Sequence, residues 1–347
     1  MRLLRVRAHG GPEVIGLEEA DAPVPGPGEV RVRVTHVGLN HLDVWVRRGV
    51  PGHAFPLPLI PGADVVGVRE DTGAQVALHP AVACMTCRSC ASGRHDLCRS
   101  YRIRGERMDG GCAEVVCVPT WQLLPADGLD PAEAASLPLA LLTAWHLLLH
   151  RARLAPGERV VVMGGAGGVA SLAIQVAAMA GARVAAVAST PEKRARCLAL
   201  GAEEAWAPDA AAAACKRWTE RQGADVVVEH VGGDAFALGV SMLRWGGRLA
   251  TCGATAGHTV TLDLRALFFK QLELLGSTMG GLGELAAAWD AVRAGRIRGV
   301  VGDVLPMRDI AEAHRRIEGR AVLGKIVLAQ DLGQPASPHW TAPAARR

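Results

Sequence analysis

The sequence predicts an α/β protein in which a doubly wound parallel sheet is joined to a second, β-rich unit. Three observations carry that expectation. Val160 to Met163 is a four-residue apolar run suited to a buried parallel strand, and a glycine turn follows at Gly164 to Gly168. Strand-like runs then recur at Val184 to Ala188, Asp225 to Val228, Arg248 to Cys252 and Leu272 to Gly276, separated by helical stretches. Such alternation implies right-handed crossovers and a parallel sheet. In the N-terminal part, Val30-Arg31-Val32-Arg33-Val34 has a period of two, and Val65 to Val68 and Gln75 to Leu78 are further short strands.

The central stretch is the most informative. After the glycine turn, apolar residues fall at Val169, Leu172, Ala173, Val176 and Ala180, which is helical spacing, and Gly181 suits the helix end. Gly165, Gly167 and Ala170 match the G-x-G-x-x-G/A fingerprint, in which the backbone approaches a pyrophosphate and helix-N-terminal N–H groups face the anion. A chain with 41 glycines offers chance matches. The strand before and the helix after give this one its weight. Gly165, Ala166, Gly167, Gly168 and Val169 are therefore candidate dinucleotide-binding residues. A tight βα turn that binds nothing is the alternative.

Composition sets the outer bounds. A chain of 347 residues can hold two domains with real cores, and half of it is hydrophobic, yet no run of about 18 apolar residues marks a membrane span. The start, MRLLRVRAHGG, is too broken by arginine for a signal-peptide core, so a cytoplasmic protein is expected. The net charge of +4 comes from scattered basic residues. That leaves no footprint for nucleic acid and suits an anionic small-molecule cofactor. Tyr101 is the one tyrosine, so phenolic proton donors are scarce.

Nine cysteines in an apparently cytosolic chain point to metal or free thiols before disulfides. Cys84, Cys87, Cys90 and Cys98 stand at x2, x2, x7 spacing and can close a tetrahedral shell around one Zn²⁺ with no vacant position. The polar residues between them have little apolar material to hold a lobe together, so metal would supply much of its folding free energy. A closed four-thiolate site is structural, since it leaves no room for substrate. Cys112 and Cys117 flank a strand-like run and are expected in the core.

The segments GPEV, PGPGEVRVRV, GLNHLDVWVRRG, PLIPGADVVG, LPLALLTAW and the glycine turn occur in an order that resembles the medium-chain dehydrogenase/reductases, over residues 1 to about 328. The resemblance implies a GroES-like β-rich catalytic domain (1–139, with the cysteine lobe at 84–98), a Rossmann cofactor domain (140–282) and a return to the catalytic domain (283–330). It also implies chemistry in the cleft between them and homodimers or homotetramers joined through the cofactor domains. From residue 331 to 347 the sequence is too poor in apolar pattern to pack, and a flexible tail is expected.

The same resemblance implies catalytic-zinc ligands at the segments matching Asn40, Ala63 and Leu139. Those positions offer an amide, a methyl and an isobutyl group, and Leu42 stands where zinc enzymes often place a hydroxyl relay. The catalytic zinc is expected to be missing, with an improvised site of Asp64, His41 and Asp43 as the alternative. By resemblance, Thr143 lines the nicotinamide pocket and shares a catalytic role with Asn40, Trp45 walls the pocket, and His41 contacts cofactor phosphate or backbone. Tyr101 and Arg104 either reach the cleft or pack its base.

The end of the second strand bears on the cofactor. NAD sites place Asp or Glu about 20 residues past the first glycine, on the ribose 2′-OH. Here Val187-Ala188-Ser189-Thr190 carries no acid before Glu192, while Ser189, Thr190, Lys193 and Arg194 offer hydroxyls and charge to a 2′-phosphate. NADP(H) is expected, with NAD(H) the alternative if Lys193 and Arg194 are only a solvated helix face. Without a catalytic metal, conjugated acceptors suffer least, because their charge delocalises. The expected activity is NADPH-dependent hydride transfer to a quinone, enone or enal. A zinc-type alcohol or aldehyde dehydrogenase and a non-catalytic NADPH-binding protein are the alternatives.

Overall fold

Six parallel strands make one sheet of the computed structural model, which describes residues 1–319 and 322–332. Their spatial order is Glu204–Trp206, Arg183–Val187, Arg159–Met163, Ala224–Glu229, Leu243–Thr251, Glu273–Gly276. Numbered along the chain this is 3-2-1-4-5-6, the doubly wound dinucleotide-binding order, whose winding reverses between the first and fourth strands. Val160, Val161 and Val162 are fully buried, as a strand covered by helices on both faces requires. The helix Gly168–Met179 leaves the glycine turn as its spacing predicts, and Thr190 caps Pro191–Ala199 by accepting from the Lys193 N–H.

A second, mixed sheet has the order Val301–Pro306, Lys325–Ala329, Glu29–Gly38, Asp64–Arg69, Gln75–Leu78, Leu123–Pro125, and Val115–Pro119 also pairs with Glu29–Gly38. Gly38 faces Asp64 on one side and Val327 on the other. Its Cβ would lie 1.9 Å from the Ala135 carbonyl oxygen, so only glycine lets the helix Pro131–Ala135 approach this closely. The seam between the units is apolar. One buried cluster runs from Ala63 and Val66 through Leu137 and Leu141 to Val160 and Val162, which fixes the two sheets against each other.

Several boundaries differ from expectation. Asn40 starts a helix, His41–Arg48, because the Asp43 carboxylate accepts the Asn40 N–H at 2.7 Å in a capping arrangement that the β-rich pattern around it conceals. Leu282–Arg293 is a helix that packs on Pro138–Trp145, and the chain joins the mixed sheet at Val301–Pro306. Cys112 is fully buried, whereas Cys117 is half-buried and lies within Val115–Pro119. The first two residues of the expected tail are held: Asp331 pairs with Arg308, and Leu332 is buried while its carbonyl accepts from Arg2 at 2.7 Å. The remainder of that tail lies outside the described residues.

Candidate active site at the seam of the two units

A cavity of about 550 Å³ opens at the point where the strand order reverses, between the strand ends at Met163 and Glu229. Ligands of open α/β sheets bind at that place. Ala166, Gly167, Gly168 and Val169 line it from the glycine turn, Ser189 and Lys193 from the end of the second strand, and Asn40 and His41 from the opposite unit. Gly165 does not line the cavity. Its Cβ would meet Cys197 Sγ at 2.7 Å and Ala186 Cβ at 3.0 Å, so this glycine serves the packing of helix on sheet. Gly164 adopts φ +64°, the left-handed turn that glycine takes without strain.

The turn fits a dinucleotide on independent evidence. His230 follows the strand Ala224–Glu229, lines the cavity, and sets its ring 3.2 Å from the Cβ position of Gly164 and 3.5 Å from that of Gly167. Its Nε2 is buried without a hydrogen-bond partner among the described residues, and burial holds its pKa below the usual histidine range. A buried imidazole nitrogen aimed at a glycine cradle is what an anionic cofactor would satisfy. Thr190 and Arg194 lie just outside the lining. Thr190 is occupied as the helix cap, and the Arg194 guanidinium donates to the carbonyls of Ala188 and Ser189 at 3.1 and 3.2 Å.

The other end of the cavity holds a polar knot. Asn40 Nδ2 donates to Asp64 Oδ2 at 2.9 Å, and the Leu139 N–H donates to Asp64 Oδ1 at 2.6 Å. Lys325 Nζ lies 2.9 Å from Asp64 Oδ2 and also donates to Asn40 Oδ1. Asp64 is fully buried and Lys325 is 5% exposed, a desolvated pair held together by additional hydrogen bonds. Strand adjacency places them there: Asn40 follows Gly38, Asp64 begins the neighbouring strand, and Lys325 begins the strand on the other side. The segments of Asn40, Ala63 and Leu139 thus converge on an ammonium group.

Other expected residues fall differently. Thr143 does not line the cavity; its hydroxyl donates to the Leu139 carbonyl at 2.7 Å, one turn back in its own helix. Its proton is thus committed within its own helix. Trp45 is also absent from the cavity wall and meets His41 edge to face. Asp43 accepts the Asn40 and Gly62 N–H groups, and burial raises its pKa to about 6. With Asp43 and Asp64 so committed, Asp64, His41 and Asp43 do not form an improvised metal site. Arg104 is buried against the Asp109 carbonyl and Gln122, and Tyr101 donates to the Gly280 carbonyl at 3.1 Å.

Among the described residues the one group of side chains arranged to hold a metal is Cys84, Cys87, Cys90 and Cys98, whose sulfurs all lie within 4.8 Å of one another. Neighbouring sulfurs sit 3.6 and 3.8 Å apart, close to the edge of a tetrahedron with Zn–S bonds of about 2.3 Å. Met85 turns through φ +63°, and the backbone N–H groups of Thr86 and Cys87 hold the Cys84 thiol below the usual thiol range. The lobe docks on the turn before Leu282–Arg293: His95 Nδ1 accepts the Leu282 N–H, and buried His146 lies between Glu284 at 2.9 Å and Asp96 at 3.7 Å.

Residues 26–128 match the family described as alcohol dehydrogenase GroES-like domain, and residues 168–294 match zinc-binding dehydrogenase. The chain is 29% identical to the quinone oxidoreductase of Homo sapiens, over 94% of this chain and 97% of that protein. A solved structure titled NAD-dependent alcohol dehydrogenase is 40% identical, with a TM-score of 0.92, covering 95% of this chain and 99% of that one. A crotonyl-CoA carboxylase/reductase in complex with NADP is 25% identical, with a TM-score of 0.85, covering 95% and 94%.

Proposed function

The chain belongs to the medium-chain dehydrogenase/reductase superfamily and is an NAD(P)H-dependent oxidoreductase, and from that premise we propose that it reduces quinones or activated alkenes with NADPH and without a catalytic zinc. The observation that carries the proposal is the knot of Asn40, Asp64 and Lys325. An amide, a carboxylate and an ammonium meet where zinc enzymes of the family gather thiolate and imidazole. A divalent cation there would have to displace a cation already paired with the one carboxylate.

Bound NADPH supplies the hydride. The protein's own groups do the rest. Gly168 and Val169 open the helix whose N-terminal N–H groups would face the pyrophosphate, and the unpartnered His230 Nε2 would donate to or accept from the cofactor beside Gly164. Ser189 and Lys193 face the ribose end of the cavity with no carboxylate between Val187 and Thr190, which supports NADPH over NADH. The apolar walls exclude water from the acceptor. A quinone or conjugated carbonyl spreads the charge it receives over several atoms, so it needs no Lewis acid. The likeness to a quinone oxidoreductase and to an NADP-bound crotonyl-CoA reductase agrees with this acceptor class.

A second reading, an alcohol or aldehyde dehydrogenase, is favoured by the 40% identity to a structure titled NAD-dependent alcohol dehydrogenase and by the four-cysteine lobe. One experiment separates them: metal analysis of the purified protein, paired with a screen of NADPH and NADH oxidation against quinones, enones and enals. About one zinc per chain with turnover of conjugated acceptors is the expected result. About two zincs per chain with turnover of simple alcohols would replace this reading with the second. A dead screen, with no oxidation of bound NADPH in a single turnover, would leave a binding protein.

A further inference from the structure

We propose that Lys325 is the catalytic residue that stabilises the substrate oxygen, an ammonium acting in place of the family's zinc. The proposal rests on the reading of the acceptor given above and names the group that serves it. A lysine ammonium has three N–H donors. Two go to Asn40 Oδ1 and Asp64 Oδ2, and among the described residues no third acceptor meets Nζ. The residue lines the cavity, 5% exposed, and its stem lies against the glycine turn: a Cβ on Gly168 would meet Lys325 Cδ at 2.8 Å. The charge is therefore at the end of the cavity beside Asn40, and its stem is gripped by the turn that cradles the cofactor.

The neighbours of Lys325 preorganise it. Asp64 is anchored by the Leu139 N–H at 2.6 Å and by Asn40 Nδ2 at 2.9 Å, and Asn40 is fixed by the helix it starts. Both ends of the Asn40 amide are engaged, so Asn40 aims Lys325 and is itself a positioning residue. A donor held by two acceptors costs no reorganisation when charge appears on a third, which is the condition for electrostatic catalysis. With an enone, hydride forms a C–H bond at the β-carbon, the C=C pair moves to make the enolate, and negative charge settles on oxygen. The Lys325 N–H hydrogen-bonds that oxygen without giving up its proton. The α-carbon then takes a proton from water, and lysine remains an ammonium throughout.

The test uses the full-length protein with Lys325→Met, which keeps the stem and loses the charge, and Lys325→Arg, which keeps the charge. With an enone acceptor, kcat is expected to fall about 100-fold or more in K325M, the loss seen when an oxyanion donor is removed. KM for the cofactor should stay within about threefold, and K325R should recover part of kcat. A readout free of turnover comes from 4-nitrophenol, an enolate-like phenol, titrated into the protein saturated with NADP⁺. Its bound pKa should lie at least about one unit below its free value in wild type and K325R, and return to the free value or above in K325M. An unchanged kcat in K325M overturns the proposal. So does a nitrophenol that fails to bind the wild type or binds it without a lowered pKa, which decides the matter even if K325M does not fold. If wild type turns over no conjugated acceptor yet ionises bound nitrophenol, the acceptor reading fails and the role of Lys325 stands.

Discussion

Gly324 donates its backbone N–H to the Ala166 carbonyl at 2.9 Å, which ties the start of the last strand of the mixed sheet to the middle of the glycine turn. The cofactor loop is thus braced by the other unit, and Lys325 is the next residue along that brace. Gly324 adopts φ +89°, and a Cβ there would sit 2.3 Å from the Val300 carbonyl oxygen, so the position suits glycine alone.

Gly324→Ala should therefore damage stability and cofactor binding together. A non-glycine residue at this φ costs about 1–3 kcal/mol, and the backbone clash adds to it. The expected outcome is a lower melting temperature and a KM for NADPH raised several-fold, with zinc content unchanged. Titration of NADPH fluorescence against the variant checks it. Wild-type affinity in a destabilised protein would show that the brace does not shape the turn.

Cys90→Ser should lower zinc from about one per chain to nearly none. Cys90 is the most enclosed of the first three ligands, and no spare thiol lies within the cluster to replace it. Without metal the lobe would rely on contacts such as those of Tyr101, His95 and the Asp96–His146 pair to stay docked. The melting temperature should fall and limited proteolysis should open the chain between residues 84 and 98. A variant as resistant as wild type would show that the lobe is held by its docking alone.

Ser189→Asp should reverse the cofactor preference. The carboxylate would accept the 2′-OH of NADH and repel a 2′-phosphate, and it would sit beside Arg194, which already grips the Ser189 carbonyl. The ratio of kcat/KM for NADPH to that for NADH should fall at least about tenfold, measured with one acceptor. If wild type prefers NADH from the start, the reading of Lys193 and Ser189 is lost.

The glycine turn was legible because its demands are local: a strand, a left-handed glycine and a helix N-terminus lie within a few residues. The four cysteines were legible for the same reason. Lys325 was not, since its partners lie 261 and 285 positions away and meet it only through strand pairing. A signal existed in the sequence. Asp64 heads a buried apolar run, Lys325 heads another, and a buried carboxylate without zinc beside it requires a countercharge. The bond of Thr143 was not legible either, because family position says nothing of where its hydroxyl bonds, and the Leu139 carbonyl lies one helical turn away. His230 carried no pattern at all; only the folded strand end brings it to the turn.

His314 predicts acid sensitivity with a definite sign. It lies on Ile310–Glu318, fully buried, with neither ring nitrogen hydrogen-bonded among the described residues. Burial first, then the positive charge of Arg47, lowers its pKa from 6.5 to about 3. Between those values the unfolded chain holds a proton that the folded chain refuses, so stability rises with pH. The contribution is present in full above pH 6.5 and is lost as pH falls toward 3. At pH 5 the loss from this group is about 2 kcal/mol. His314→Leu removes the titration and leaves an apolar side chain in its buried site. Thermal unfolding of both proteins at pH 7 and pH 5 should show the variant losing distinctly less than the wild type on acidification. His36, His79 and His230, whose pKa values burial also lowers, keep some slope in both. Equal losses in the two proteins would mean that the folded state protonates His314 readily, and that the pocket beside Arg47 opens to water before the protein unfolds.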